Sequence, residues 1–341
     1  MKRKVYKTKG GRSLQDLHIV VEELAKPLDN AVSVKVEAIG LNYADVFAVT
    51  GLYSATPKGA FTPGLEFAGT IVELGKNVKG FSKGQKVMGV TRFGAYTSHL
   101  NVQQDYIYPL PESWSFAEGA AFVVQGLTAF YALVELGNLQ KGQSVLVHSA
   151  AGGVGILAQR IAKKYGAYTI ASIGSENKIN TVRAEGYDAY IVRSERFYQD
   201  LLICLENREL HLVLECIGGK IFMESYRALA PTGRLVTYGF ADFTPMNHRP
   251  GIFSTVWKFL TRPRVDPLNL VSANKSVMGF NLIWLYDRPQ LLKPILTKLM
   301  SLELPPQIVG KTYPFSEAIA ALTEFKAGKT VGKLVLHSSE S

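Results

Sequence analysis

Residues 144–165 read SVLVHSAAGGVGILAQRIAKKY, and this stretch decides the fold. The apolar run over 144–148 predicts a buried strand, and apolar residues then recur every three or four positions from Val154 to Tyr165, as on one face of a helix. Small residues between the two segments let backbone amides approach an anion at the helix N-terminus. The stretch therefore predicts a strand, a phosphate-binding turn and a helix.

The turn matches the dinucleotide-binding fingerprint at its three small-residue positions. Ala150, Gly152 and Gly155 occupy them, with Ala in place of the first Gly. Glycines at a turn are common, but here a strand precedes and a helix follows, which favours the cofactor interpretation. The predicted cofactor-binding residues of the turn are Ala151, Gly152, Gly153, Val154 and Gly155.

The segment about 20 residues further on predicts which dinucleotide binds. Residues 172–178 read SIGSENK, so the strand end lacks the acid that would bind a ribose 2′-hydroxyl in an NAD enzyme. Ser175 can donate to a 2′-phosphate, and Lys178 and Arg193 can neutralise it. Glu176 argues against this interpretation, unless it is a solvated first-turn acid of the following helix. The alternative for Lys178 and Arg193 is that they are ordinary surface charges. We predict NADPH.

The pattern along the chain predicts a two-domain α/β protein. Residues 1–125 contain short alternating segments typical of antiparallel β structure, whereas from Leu127 apolar strands alternate with helices, as in parallel βαβ units. The closing stretch ends in a further strand and is expected to rejoin the first domain. We predict a mostly β domain over 1–125, a Rossmann domain over 126–284 and a return over 285–341.

Composition excludes several classes of function. The net charge of +10 is scattered rather than clustered, which favours attraction of an anionic cofactor over nucleic-acid binding. No apolar stretch reaches the roughly 20 residues of a membrane span, and no secretory signal opens the chain, so we expect a cytoplasmic protein. Cys204 and Cys216 have no partners at metal-ligand spacing and are expected to be packed thiols.

The segment 245–274 has no clear period and is rich in aromatic and basic residues. Within 253–264 it offers an amphipathic patch for peripheral membrane contact, or alternatively a lid or dimer contact. The patch residues are Phe253, Trp257, Lys258, Phe259, Leu260, Arg262 and Arg264.

Seven motifs spread over nearly the whole chain carry a family resemblance. They are GLNYAD at 40–45, GLY at 51–53, PGLEFAG at 63–69, GNL at 137–139, AAGGVG at 150–155, TYG at 237–239 and VGK at 331–333. With them the chain resembles the medium-chain dehydrogenase/reductase superfamily, specifically its quinone oxidoreductase branch and most closely the vesicle amine transport protein subfamily.

The resemblance implies a GroES-like catalytic domain built from the two chain ends, with a Rossmann domain between them and the nicotinamide in a cleft. It also implies a homodimer that pairs edge strands near 276–280. Asn42 and Thr128 are expected beside the nicotinamide, although each has a local alternative as a turn former or a helix residue. Further expected cofactor contacts are Tyr238, Gly239, Phe240, Gly279, Phe280, Asn281, Gly332 and Lys333.

The resemblance also bears on metal and catalysis. Zinc-dependent members hold their metal with a Cys, a His and a further Cys or acid, but here Asn42 and Leu65 stand near the first two positions, so we predict no metal. A carbonyl must then be activated by hydrogen bonds, for which the candidates are Asn42, Tyr53 and Arg92, beside an apolar wall. The wall would be formed by Phe47, Leu65 and Phe93.

Three functions follow from the sequence. The first is NADPH-dependent reduction of quinones or α,β-unsaturated carbonyl compounds. The second is enoyl-thioester reduction, and the third is a nucleotide-binding interaction protein at membranes with little turnover.

Overall fold

The computed structural model describes residues 1–9, 13–241 and 262–338. The chain divides into two compact units. The first comprises Met1–Gln125, Ile283–Thr297 and Pro305–Ser341, and the second comprises Gly126–Leu282 and Lys298–Leu304. The aromatic part of the predicted amphipathic patch lies outside the described residues.

The N-terminal part of the first unit is mostly β structure, because its alternating segments bury one face each. Strand β3 is buried at eight of its ten positions and forms the centre of the unit. The elements are β1 (Lys2–Lys7), β2 (His18–Glu23), β3 (Ala31–Gly40), α1 (Tyr43–Val49), β4 (Glu66–Leu74), β5 (Lys86–Val90), β6 (His99–Gln103), β7 (Ile107–Pro109) and α2 (Phe116–Ala120).

The second unit alternates helix and strand, as the apolar pattern predicts. Helix α3, which covers Val123–Phe130, begins at the end of the first unit and continues into a π-helical turn over Tyr131–Leu136. The elements are α3 (Val123–Phe130), β8 (Ser144–His148), α4 (Gly153–Lys164), β9 (Tyr168–Ile173), α5 (Ile179–Ala184), β10 (Ala189–Val192), α6 (Phe197–Leu205), β11 (Leu210–Glu215), α7 (Gly219–Ala228), β12 (Leu229–Thr237), α8 (Pro267–Ala273) and β13 (Ser276–Gly279).

These six strands form one parallel sheet in the order β10-β9-β8-β11-β12-β13. Numbered within the unit, this is the order 3-2-1-4-5-6 of a doubly wound dinucleotide-binding fold. The turn after β8 lies at the point where the strand order reverses, which is where ligands bind in such sheets. The predicted α/β class with a Rossmann sheet is confirmed.

The C-terminal part of the chain returns to the first unit and completes its sheet. Its elements are α9 (Leu282–Leu285), α10 (Pro289–Met300), β14 (Val309–Pro314), α11 (Ala318–Lys326) and β15 (Lys333–His337). The sheet has the order β14-β15-β3-β4-β5-β7, with β6 also paired to β3. Because β15 runs antiparallel to β3, with Val335 opposite Gly40, the VGK motif is brought beside the GLNYAD motif.

Candidate functional site

The predicted cofactor-binding residues of the second unit gather at one edge of the parallel sheet. The turn at 149–152 follows β8, Gly174 follows β9 and Arg193 follows β10. Residues 238–240 follow β12, and 280–281 follow β13. Since parallel strands all end at the same edge, the topology collects residues that lie more than 100 positions apart in the sequence.

The turn after β8 is built for close approach of backbone to a ligand. Ser149 has a φ of +53°, and the amide of Gly152 donates to the carbonyl of Ser149 at 2.8 Å. A Cβ on Gly155 would lie 2.5 Å from the carbonyl oxygen of Ala150, so only glycine fits where α4 crosses the turn. The predicted strand, turn and helix are confirmed, and the turn presents the N-terminus of α4 to an anion.

Two cations stand beside this turn at the ends of β9 and β10. Burial lowers the pKa of Lys178 and the pKa of Arg193, and the positive charge of Arg193 lowers that of Lys178 further. Arg193 Nη1 donates to the carbonyl of Ser172 at 3.1 Å, which holds the guanidinium across the strand end. Two partly buried cations, one of which lowers the pKa of the other, favour the approach of an anion.

Gly174 makes room for the arginine, because a Cβ at that position would lie 2.8 Å from Arg193 Nη2. Among the described residues, Nη2 has no acceptor. The hydroxyl of Ser175, in contrast, donates to Asn177 Oδ1 at 2.5 Å, so its predicted donation to a 2′-phosphate requires that local bond to open.

The remaining predicted cofactor contacts of this unit lie after β12, at and after the end of β13, and in α3. Tyr238 is held by its amide, which donates to the carbonyl of Glu215 at 3.0 Å, whereas Phe240 is half exposed. The ring of Phe280 lies 5.0 Å from Tyr131 and 6.3 Å from Tyr238 between ring centroids. Thr128 is buried in α3. Contact of these residues with a nicotinamide stays a prediction.

Glu215, at the end of β11, is a residue of this edge that sequence reasoning missed. Its carboxylate accepts from the amides of Ile217 and Gly218, both at 2.7 Å, and from the hydroxyl of Thr237 at 3.2 Å. Burial raises its pKa. An acid that ends an apolar strand is the only sequence signal of this role, which is to fix the loops after β11 and β12.

The first unit contains a buried polar cluster formed by Asn42, Glu66, Gln125 and Lys333. Lys333 Nζ donates to Glu66 Oε1 at 2.5 Å and to Asn42 Oδ1 at 2.9 Å. The ion pair is almost completely enclosed, with side-chain exposures of 2% for Lys333 and 0% for Glu66. Glu66 Oε2 also accepts from the amide of Val124 at 3.1 Å.

Asn42 is saturated within this cluster. Its Oδ1 accepts from Lys333 and, at 2.6 Å, from Gln125 Nε2. Its Nδ2 donates to Glu66 at 3.0 Å and to the carbonyl of Gly40 at 3.3 Å. An amide has two N–H donors and two acceptor lone pairs, so no bond is left for a substrate. The predicted role of Asn42 as a catalytic donor therefore has no support in this geometry.

The side chains at two other predicted contacts also meet protein partners. The ammonium of Lys333 points into the ion pair with Glu66, and its amide donates to the carbonyl of Ile308 at 2.9 Å. Contact of Gly332 and Lys333 with a ribose and phosphates stays a prediction. Arg92 Nη1 donates to both carboxylate oxygens of Asp287 at 2.8 Å, and its guanidinium lies over the ring of Trp284. One nitrogen of the guanidinium is thus paired, and the catalytic assignment of Arg92 stays a prediction.

The residues of the predicted apolar wall lie in the first unit, and their joint role stays a prediction. Tyr53 is half-buried, and its ring meets that of Phe93 edge to face with 6.3 Å between centroids. Phe93 and Leu65 are buried, so both side chains pack in the interior of the first unit. The catalytic assignment of Tyr53 stays a prediction.

Asp45 adds a second carboxyl group next to the cluster. Its Oδ2 accepts from the amide of Asn42 at 2.8 Å and from the hydroxyl of Tyr96 at 3.2 Å, while Oδ1 is buried with no partner among the described residues. Burial raises the pKa of Asp45 to about 7. When Asp45 is protonated, it carries no charge, and the charges of Glu66 and Lys333 balance each other.

Comparison with known proteins agrees with this architecture. The alcohol dehydrogenase GroES-like domain matches residues 28–112, and the zinc-binding dehydrogenase family matches residues 153–293. The synaptic vesicle membrane protein VAT-1 homolog of Rattus norvegicus is 31% identical over 316 residues, covering 91% of this chain and 77% of that protein. The chain belongs to the medium-chain dehydrogenase/reductase superfamily. Within that superfamily it lies in the quinone oxidoreductase branch, close to the VAT-1 homologues, as predicted.

Solved structures of medium-chain dehydrogenases/reductases share the fold. The Escherichia coli quinone oxidoreductase complexed with NADPH is 25% identical, with a TM-score of 0.85 and coverage of 98% of this chain and 100% of that one. The CurK enoyl reductase is 28% identical, with a TM-score of 0.82 and coverage of 98% and 99%. This medium-chain dehydrogenase/reductase is thus an oxidoreductase. Within the described ranges, none of its helices is long and apolar enough to cross a membrane.

Proposed function

We propose that this oxidoreductase uses NADPH to reduce quinones or α,β-unsaturated carbonyl compounds, without a catalytic zinc. The observation that carries the proposal is the pair Lys178 and Arg193 beside the phosphate-binding turn, at a strand end that has no acid for a 2′-hydroxyl. When bound, NADPH supplies a hydride from C4 of its nicotinamide. The turn 149–155 and the N-terminus of α4 would hold the pyrophosphate, and the two cations the 2′-phosphate.

The zinc-binding dehydrogenase family implies a metal, but the residues at the resembling positions do not fit one. An amide and an alkyl side chain, those of Asn42 and Leu65, stand where thiolate and imidazole ligands are expected. The ammonium of Lys333 lies 2.9 Å from Asn42 Oδ1 and already supplies a positive charge there. Among the described residues, no three His, Cys, Asp or Glu side chains cluster as ligands.

The substrate class is inferred from chemistry and from the relatives together. A zinc-free reductase needs an acceptor that takes hydride readily, and quinones and enones do so because the resulting oxyanion is delocalised. The Escherichia coli protein with a similar structure is a quinone oxidoreductase. Activation by hydrogen bonds then replaces activation by a Lewis acid.

Cofactor titration followed by an acceptor panel tests the proposal. We expect NADPH to bind more tightly than NADH by calorimetry, and NADPH oxidation to depend on ortho- or para-quinones or on enones. Turnover without added zinc and in the presence of a chelator is part of the expected result. Equal affinity for the two cofactors, or loss of turnover with the chelator, would contradict it.

A second candidate is enoyl-thioester reduction, favoured by the likeness to the CurK enoyl reductase. The same panel separates the two functions if it includes a crotonyl thioester carrying a pantetheine arm. Preference for the thioester over every quinone would select this candidate. Tight NADPH binding without turnover on any acceptor would select the nucleotide-binding interaction protein at membranes.

We also propose that the protein is a homodimer joined through β13. This strand ends the parallel sheet and, in the part of the chain that the structure describes, pairs with β12 alone. Its free edge offers unpaired backbone groups to a second copy. Sedimentation equilibrium is expected to give twice the chain mass of 37.5 kDa. A monomer at micromolar concentration would contradict the proposal.

A further inference from the structure

His148 lies at the end of β8, directly before the phosphate-binding turn, and is completely buried. Its Nδ1 is 3.0 Å from the hydroxyl of Ser172, and its Nε2 is 2.9 Å from the hydroxyl of Ser225. Ser172 is also bonded to Arg193, whose Nη1 donates to its Oγ at 3.3 Å. One continuous set of hydrogen bonds thus joins the interior of the second unit to Arg193.

Both ends of this set fix its direction. A guanidinium can only donate, so Ser172 Oγ accepts from Arg193, and its own proton is available to His148 Nδ1. At the other end, the hydroxyl of Ser225 donates to the carbonyl of Ile221 at 2.8 Å. Ser225 Oγ therefore accepts from His148 Nε2–H. Only the neutral Nε2–H tautomer of the imidazole satisfies both neighbours.

The surroundings favour that neutral form. Burial, and secondly the charge of Arg193, lower the pKa of His148 to about 3. The ring also packs against Phe197, with 5.6 Å between centroids, which holds its plane. The imidazole therefore acts as a fixed acceptor toward Ser172 over the physiological pH range.

From this geometry we infer that His148 is a positioning residue for recognition of the 2′-phosphate. By accepting a hydrogen bond from the Ser172 hydroxyl, it turns that hydroxyl's lone pairs toward Arg193 and keeps Nη2 directed past Gly174. The inference rests on the proposed use of NADPH. It goes further by assigning cofactor discrimination to a residue that would not touch the cofactor.

The test compares affinities for NADPH and NADH by isothermal titration calorimetry in four variants. His148→Phe keeps a planar ring but removes the acceptor, and we expect the ratio of NADPH to NADH affinity to fall about tenfold. His148→Asn restores an acceptor toward Ser172 and should recover part of the ratio. Ser172→Ala removes the bond from Arg193 to the hydroxyl, leaves the bond to the backbone carbonyl, and should lower the ratio even if the His148 variants fold poorly.

Phe197→Leu serves as the matched control, because it disturbs packing around the imidazole and leaves its hydrogen bonds in place. It should lower thermal stability and leave the ratio unchanged. A His148→Phe protein that keeps the wild-type ratio, or loses affinity for both cofactors equally, would overturn the inference. A wild-type protein that does not prefer NADPH would instead overturn the proposed cofactor, and the two failures are distinguished by which protein shows them.

Discussion

Replacing Lys333 by Met is expected to lower the free energy of unfolding by about 3–5 kcal/mol, the usual loss when one partner of a buried ion pair is removed. The reason is that Glu66 would stay completely enclosed with an uncompensated charge, while Asn42 Oδ1 would lose one of its two donors. Urea denaturation followed by circular dichroism measures the loss. The effect should shrink as the pH falls, because an unpaired buried carboxyl has a raised pKa and the folded variant then binds the proton more tightly than the unfolded chain.

Two comparisons make this prediction specific. Lys311→Met removes an exposed lysine paired with Glu324 in the same unit and should change stability much less. The double variant Glu66→Gln with Lys333→Met should be more stable than Lys333→Met alone, since no charge is left unpaired. A loss in Lys333→Met no larger than that of Lys311→Met would mean that the ion pair does not stabilise the first unit.

Removing both cations at the ends of β9 and β10, by Lys178→Ala with Arg193→Ala, is expected to weaken NADPH binding by at least about a hundredfold. Each charge-assisted hydrogen bond to the 2′-phosphate contributes on the order of 1.5–3 kcal/mol, and tenfold in affinity corresponds to about 1.4 kcal/mol. NADH affinity should stay nearly constant, because NADH has no 2′-phosphate. Calorimetric titration with both cofactors measures the two values.

The matched control removes two exposed cations from the same unit, by Arg208→Ala with Lys220→Ala. These side chains pair with Glu206 and Glu195 at the surface. The control lowers the net charge equally, so it separates local recognition from general attraction of an anion to a basic protein. Equal losses of NADPH affinity in the two double variants would assign the effect to overall charge.

The phosphate-binding turn of the second unit is predictable from the sequence because its signals are local. The turn at 149–155 needs small residues next to one another, and the helix after it needs apolar residues at helical spacing. The absence of an acid at the end of β9, in residues 172–175, is equally visible in the sequence. Glu215 and His148 have no comparable local signal. Glu215 meets Thr237 only because β11 and β12 are neighbours, and His148 meets Ser172 on β9 and Ser225 on α7 only in the folded unit.

The first unit was harder to predict because its polar residues meet through long-range pairing. Asn42, Glu66 and Lys333 each belong to a motif that suggests a ligand contact, yet together they satisfy one another. Arg92 likewise finds Asp287, which is 195 positions away. The neighbours of a side chain in space decide which of its hydrogen bonds are available to a ligand. The position of a residue in a motif does not show those neighbours.

The sequence by itself determined the α/β class, the alternation of elements and the phosphate-binding turn, because these depend on periodicity and on backbone sterics within about 20 residues. The tertiary structure alone decided which polar groups are occupied. Pairing of β15 with β3 buries Lys333 against Glu66, and the parallel order of β8 and β9 joins His148 to Ser172. Burying a polar group without a hydrogen-bond partner costs free energy. Which partner is within reach depends on how the strands pair, and this pairing is a property of the tertiary structure.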